Sequence, residues 1–266
     1  MRRPGPAPAP PTPVQLEATA VEVARAAAAL IRAEVGRALG VGSKSSPTDV
    51  VTQTDIDAET LMRKLIAEAT PEASILGEEG GDTTPGGRVQ WIIDPLDGTV
   101  NFLYGLPVVG VSAAVAVDGG IVAGAVVDVG RDEAFSAALG HGARVDGQPI
   151  AVAPCNELGS ALVMTGFSYR ASVRERQGAI VHRLVPLARD IRCFGSAALA
   201  LCWVGAGRGD AYFERDIKVW DYSAGALVAA EAGARIELPC PENDGLVVAG
   251  GPAVFDALRE QVRQDR

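Results

Sequence analysis

The sequence predicts a layered α/β protein whose sheets are largely antiparallel. Three observations carry that expectation. Helical and strand patterns follow one another irregularly, with few of the strand–helix–strand units that build parallel sheets. Val108–Asp118 and Ile121–Asp128, joined by Gly119-Gly120, read as a hairpin of small and β-branched residues. The chain has 266 residues, 48% apolar and 21% charged, enough for one large domain or two fused layers around a buried core.

The elements follow in order. MRRPGPAPAPPTP, residues 1–13, alternates Pro with small residues and reads as an extended tail. It carries Arg2-Arg3 but no apolar stretch, so it is not read as a signal peptide, and the cytoplasm is the expected compartment. From Val14 to about Leu39, Val14, Ala18, Val21, Ala24 and Ala28 recur at helical spacing, and Gly40-Val41-Gly42-Ser43 breaks the pattern. A second helix is expected from Thr54–Asp57, which stand at capping-box spacing, through Leu61, Leu65 and Ile66 to Pro71. Ala73–Leu76 reads as a short strand ending at Gly77-Glu78-Glu79-Gly80-Gly81, and Val89–Ile93 as a buried strand that Pro95 stops. After the hairpin, polar turns thicken around Ala151–Pro154. They divide the chain into a 14–150 half and a 151–266 half. The second half reads as a helix at Ala171–Ala188, a strand at Ile191–Phe194 and a helix at Ser196–Val204. A strand at Asp210–Phe213 leads to a helix capped by Asp221 and running to Ala232. Strands at Arg235–Leu238 and Leu246–Ala249 and a helix at Pro252–Arg263 close the chain.

Composition removes several function classes. With 24 basic and 33 acidic residues the formal charge is −9, against a chain built to coat nucleic acid. No apolar run reaches the ~18 residues needed to span a bilayer, so no membrane role is expected. Cys155, Cys193, Cys202 and Cys240 form no C-x-x-C pair, and His141 and His182 are the only imidazoles. A zinc site or a serine–histidine triad is therefore poorly supplied. Gly205-Ala206-Gly207-Arg208-Gly209 imitates a dinucleotide loop but follows a helix, and reads as a helix stop. Gly42-Ser43-Lys44-Ser45 imitates the end of a P-loop without the glycine before its lysine.

Chemistry concentrates in acidic corners. In Asp94-Pro95-Leu96-Asp97-Gly98-Thr99 strand alternation alone would turn the two carboxylates to opposite faces. A turn at Pro95 could aim both, with the Leu96 carbonyl, at one point. Two carboxylates and a carbonyl are hard oxygen ligands suited to Mg²⁺. Gly98 and Thr99 open a helical turn whose bare N–H groups suit a phosphate. By itself the hexapeptide supports a metal corner and a solvated Asp-Pro-Gly turn equally. Gly77-Glu78-Glu79 alone is a solvated turn, and Asp221 after Trp220 alone is a helix cap. Their combination, each at the end of an element, points to one shared site.

Trp91-Ile92-Ile93-Asp94-Pro95-Leu96-Asp97-Gly98-Thr99-Val100-Asn101-Phe102 resembles the first signature of the inositol monophosphatase family. Val219-Trp220-Asp221-Tyr222-Ser223-Ala224-Gly225, continued by Ala230-Glu231-Ala232-Gly233, resembles the second. Lys44–Asp49, Val51–Asp55 and Gly77-Glu78-Glu79 match family segments in order and spacing, and the resemblance runs from Val14 to the C-terminus. It implies a five-layered αβαβα fold and a lithium-sensitive, Mg²⁺-dependent phosphatase, usually a homodimer, acting on a small phosphorylated polyol. Two to three Mg²⁺ ions per site are implied. Glu78, Asp94 and the Leu96 carbonyl would hold the first, Asp94, Asp97 and Asp221 the second, and Glu78 would also face a weaker third. Thr99 and Asp55 match the pair that orients the attacking water. The Gly98 and Thr99 amides would grip the phosphate. Arg192, Gly195, Ser196, Ala197 and Glu214 match positions lining the sugar pocket. The residues after Gly98-Thr99, with Glu214, resemble the inositol-1-phosphate branch. Fructose 1,6-bisphosphate, histidinol phosphate and phosphoadenosine are the alternative substrates. A regulatory protein acting with the transcription machinery is the alternative of another class.

Overall fold

The computed structural model describes residues 11–36, 41–43, 50–82 and 87–263. The expected tail up to Pro10, the break at Gly40 and the segment Lys44–Asp49 lie outside them. The first helix, α1 (Pro13–Glu34), begins where Thr12 and Gln15 form a capping box and Pro13 takes the first helical position. Leu16, Ala20, Val23, Ala24, Ala27, Ala28 and Ile31 form its buried face. It ends at Glu34, short of the expected Leu39, because Val35 leaves the helical region and Gly36 turns left-handed at φ +79°.

Strands β1 (Val41–Ser43) and β2 (Val50–Thr52) pair antiparallel and lead into α2 (Gln53–Ala69). The cap of α2 is Thr52, with Asp55 as its box partner, two residues before the expected pair. Thr54 and Asp57 already lie inside the helix, so their spacing repeats the cap pattern without its geometry.

The next eight strands form one sheet: β3 (Ser74–Gly77), β4 (Gly81–Asp82), β5 (Val89–Asp97), β6 (Gly110–Val117), β7 (Gly120–Asp128), β8 (Glu133–Ala138), β9 (Ala143–Val145) and β10 (Gln148–Pro149). Their order is β10-β9-β8-β7-β6-β5-β3-β4, and only β3 and β5 run parallel. A short helix, α3 (Thr99–Leu103), separates β5 from β6. The expected hairpin is β6–β7, but Asp118 (φ +51°) and Gly119 (φ +86°) make its turn, the Asp-Gly pairing a two-residue loop requires. Strands β8 to β10 were not expected. Five of the six residues of β8 are buried, so it shows no alternation to read.

The second half contains β11 (Leu162–Thr165), α4 (Ala171–Leu184), β12 (Asp190–Cys193), α5 (Ala197–Gly205), β13 (Ala211–Arg215), α6 (Val219–Glu231), β14 (Arg235–Glu237), β15 (Leu246–Gly250) and α7 (Pro252–Arg263). The sheet order is β12-β11-β13-β15-β14. Here β12, β11 and β13 are parallel, so this sheet is mixed, because α4 and α5 carry the chain back between them.

Helices α1 and α2 cover one face of the eight-stranded sheet, α5 and α6 fill the space between the sheets, and α4 and α7 cover the far face. This is the expected αβαβα sandwich. Three apolar clusters mark its interfaces. Every residue of α5 is buried, as a middle layer demands. Among the described residues no helix is long and apolar enough to cross a membrane.

Candidate functional site

The site starts from an irregularity in β5. Asp94 pairs with Ser112 and Asp97 with Gly110, so three steps along β5 match two along β6. One extra residue is a β-bulge, and it resets the alternation that would send Asp94 and Asp97 to opposite faces. The strand thus passes through Pro95 instead of stopping there. Proline has no N–H to lose from the ladder, which suits an irregular position. Asp94 Oδ1 accepts from the Leu96 N–H at 2.9 Å and holds the turn. At Gly98 φ is +100°, and a Cβ would lie 2.9 Å from the Val108 carbonyl and 3.1 Å from that of Gly195. Only glycine satisfies both conditions.

Helices α2, α5 and α6 and the end of β3 meet this bulge. Thr99 Oγ1 lies 3.2 Å from both Asp55 Oδ1 and the Leu96 carbonyl. Asp55 is fully buried, and its other oxygen accepts from the Thr52 hydroxyl and, at 2.9 Å, the Thr52 N–H. Asp97 Oδ2 accepts from Ser196 Oγ at 2.6 Å and the Ala198 N–H at 2.8 Å, at the start of α5. Asn101 Nδ2 donates to the carbonyls of Val108 and Phe194 at 2.8 and 2.6 Å, drawing the same loop in. Asp221 is the third residue of α6 and not its cap. Its Oδ2 accepts from the Lys218 N–H at 2.6 Å, and Ser112 Oγ donates to the Trp220 carbonyl at 3.2 Å. Glu78 follows β3 and hydrogen-bonds Asp94.

The electrostatics follow from this convergence. Burial pushes Asp94 well above the usual carboxylate range, and the charges of Glu78, Asp97 and Asp221 push it further. Burial likewise raises Asp221, joined by Asp97, while the Lys218 N–H opposes. Asp97 is pushed up to about 7 by burial, with Ser196 and the Ala198 amide holding it down. Among the described residues no three His, Cys, Asp or Glu side chains close into a finished ligand cage. The acids are instead tied off one by one through the bonds above. Buried carboxylates that disfavour one another's charge need protons or cations. An all-oxygen set of this kind fits Mg²⁺ in donor chemistry.

The structure brings Glu78, Asp94, Leu96, Asp97, Gly98, Thr99, Asp55 and Asp221 to one place. Gly195 (φ +79°), Ser196 and Ala197 join them, but they pack on Asn101 and hold Asp97. Glu214, on β13, is 8% exposed and not a solvated strand end. Its Oε2 accepts from the Tyr212 hydroxyl at 2.7 Å. Arg192 lies on the edge strand β12 and is engaged by Asp190 at 2.6 Å and the Ile191 carbonyl at 2.9 Å. Sequence reasoning gave no role to Thr52, Glu59, Asn101 or Tyr212. Glu59 stands four residues after Asp55, a spacing that places both on one helical face.

Fold and site together define a five-layered α/β protein with an acidic centre where the β5 bulge meets the starts of α5 and α6. The sequence pattern of the inositol monophosphatase family matches residues 13–263. The inositol-1-monophosphatase SuhB of Mycobacterium tuberculosis is 46% identical over 254 residues, covering 87% of this chain and 88% of that one. The Nus factor SuhB of Pasteurella multocida is 37% identical over 227 residues, covering 82% and 84%. Among solved structures, M. tuberculosis SuhB superposes with a TM-score of 0.82 at 42% identity, covering 96% of this chain and 98% of that one. The suppressor protein suhB of Bartonella henselae gives 0.88 at 29%, covering 95% and 100%. The chain belongs to the inositol monophosphatase family.

Proposed function

We propose that this protein hydrolyses phosphate monoesters of small polyols, with myo-inositol 1-phosphate as the leading substrate, and that it depends on Mg²⁺. The observation that carries the reading is the cluster of buried Asp94 with half-buried Glu78, Asp97 and Asp221, in which Glu78 and the neighbouring aspartates disfavour the charged forms of Asp94 and Asp221. We assign Glu78, Asp94 and the Leu96 carbonyl to one cation, Asp94, Asp97 and Asp221 to a second, and Glu78 to a weaker third. Bound cations would supply an activated water and stabilise the departing alkoxide oxygen. The chain's own groups do the rest. Thr99, donating its hydroxyl hydrogen to Asp55 or Leu96, keeps its lone pairs free to orient the attacking water. The Gly98 and Thr99 amides hold the phosphate, and Glu214 accepts from ring hydroxyls. Gly195, Ser196 and Ala197 shape the polyol side, with Arg192 at its rim. The 14–150 half supplies the first metal motifs and the 151–266 half the polyol pocket and Asp221, and the protein acts as a cytoplasmic homodimer.

Chelation tests the reading. Activity should vanish in EDTA, return with Mg²⁺ and be inhibited by excess Ca²⁺, whose longer ligand distances misplace the water. Lithium should inhibit at the site assigned to Asp94, Asp97 and Asp221. Asp94→Asn should cost more activity than Thr99→Ala, since Asp94 is assigned to both main cations. Activity that survived full chelation would sink the assignment. A panel containing fructose 1,6-bisphosphate, histidinol phosphate and phosphoadenosine decides the substrate.

A second reading is motivated by relatives named Nus factor SuhB, such as the one at 37% identity. In it the chain also binds the transcription machinery. A pulldown from the native host that recovers RNA polymerase or its elongation factors would support it.

A further inference from the structure

Glu59 is 2% exposed on α2, one turn beyond Asp55, so the same helical face that delivers Asp55 to Thr99 delivers Glu59 to the turn after β3. A buried carboxylate at that place needs partners, and each oxygen has them. Oε2 accepts from the Glu79 N–H at 2.8 Å, and Oε1 from the Gly80 N–H at 2.8 Å and from Arg63 Nε at 2.7 Å. Arg63 Nη2 donates in turn to the Gly81 carbonyl at 2.7 Å. The carboxylate therefore grips the two amides that immediately follow Glu78. The grip is close. A Cβ on Gly77 would fall 2.5 Å from Glu59 Oε1, and one on Gly80 would fall 2.8 Å from it. The glycines on either side of Glu78-Glu79 are what let the carboxylate reach the backbone.

We infer that Glu59 is a positioning residue for the cation site: by holding the Glu79 and Gly80 amides it fixes the backbone that presents Glu78 to Asp94. The inference rests on the metal-site reading above. Glu59 lies outside the ligand set assigned there and acts only through the turn. Outer partners of this type change metal affinity by roughly ten- to a hundredfold when removed.

The test is titration of the purified full-length protein with Mn²⁺, without substrate, following the free ion by electron paramagnetic resonance. Glu59→Gln keeps the size but replaces one acceptor with an NH₂ facing an amide donor. Its Kd for Mn²⁺ should rise by about ten- to a hundredfold. Its maximal rate at saturating metal should return to near the wild-type value, which general loss of structure would not allow. Gly80→Ala attacks the same contact from the turn, at an exposed position, and should weaken binding in the same direction. It decides the matter if Glu59→Gln fails to fold. An unchanged Kd in the folded variants, even with a lower melting temperature, overturns the inference and leaves the metal site standing. A wild-type protein that binds no Mn²⁺ overturns the metal site itself, and the role of Glu59 with it.

Discussion

Glu214 is an acid with one strong donor, Tyr212, in a buried setting that pushes it up to about 7. Burial is the main cause, the Tyr212 hydroxyl opposes it, and the charge of Asp97 adds to it. Because the folded value lies above the unfolded 4.5, Glu214 contributes stability that is fully present below about pH 4.5 and lost as pH rises through about 7. In metal-free protein, Glu214→Gln should therefore gain stability relative to wild type between pH 5 and pH 8. Urea denaturation at the two values reads the difference, and a constant difference would mean the acid is not strained. For catalysis at pH 8 the same substitution removes a charged acceptor worth ~1–2 kcal/mol toward hydroxyl donors. The kcat/KM for inositol 1-phosphate should fall roughly five- to thirtyfold, with an aryl phosphate almost unaffected. Equal losses on both substrates would assign Glu214 to metal support instead.

The middle layer sets the site at the scale of elements. Helix α5 presents Ser196 and the Ala198 amide to Asp97, and α6 presents Asp221, so their separation controls the distance between those acids. Gly225 lets them approach. A Cβ there would lie 2.8 Å from the Ala198 carbonyl and 2.8 Å from Leu201 Cβ. In an isolated helix Gly→Ala stabilises by about 1 kcal/mol. Here the overpacking wins, since backbone and a core side chain must both give way. Gly225→Ala should destabilise by about 1–3 kcal/mol in urea denaturation and weaken cation binding with it. A more stable Gly225→Ala would show that α5 and α6 have slack between them.

At the scale of the molecule, the acid cluster should make stability depend on pH and on cations together. Asp94, Asp97 and Asp221 are all raised by burial, so the metal-free fold is most stable when they are protonated. For Asp97 that contribution is full below 3.8 and is lost as pH rises through about 7. Calorimetric melts should show EDTA lowering the melting temperature markedly at pH 8 and little at pH 5, where protons already satisfy part of the cluster. Mg²⁺, binding the folded state as proposed, should restore the pH 8 loss. Equal effects of EDTA at both values would mean the carboxylates are not the cation's ligands.

Local chemistry was legible in the sequence. The α7 bounds at Pro252 and Arg263, the β6–β7 hairpin and the acidic corners at Glu78, Asp94, Asp97 and Asp221 depend on neighbours along the chain, and residue type reveals them. Resemblance supplied the five layers. What the sequence could not yield depends on partners distant in it. The β5 bulge exists only in register with β6, and that register turns Asp97 to the face of Asp94. Strand β8 shows no alternation because α1 on one face and α6 on the other bury it along nearly its whole length, a cover that only the fold supplies. Thr54 and Asp57 copied the cap spacing of Thr52 and Asp55, and only the path of β2 into α2 chose between them. Asp97 meets Ala198 across 101 residues, and Glu59 meets Gly80 across 21. Turns, caps and alternation are written in covalent neighbours. The convergence of buried charges is written in packing, because only the closed layers exclude the water that would otherwise screen them.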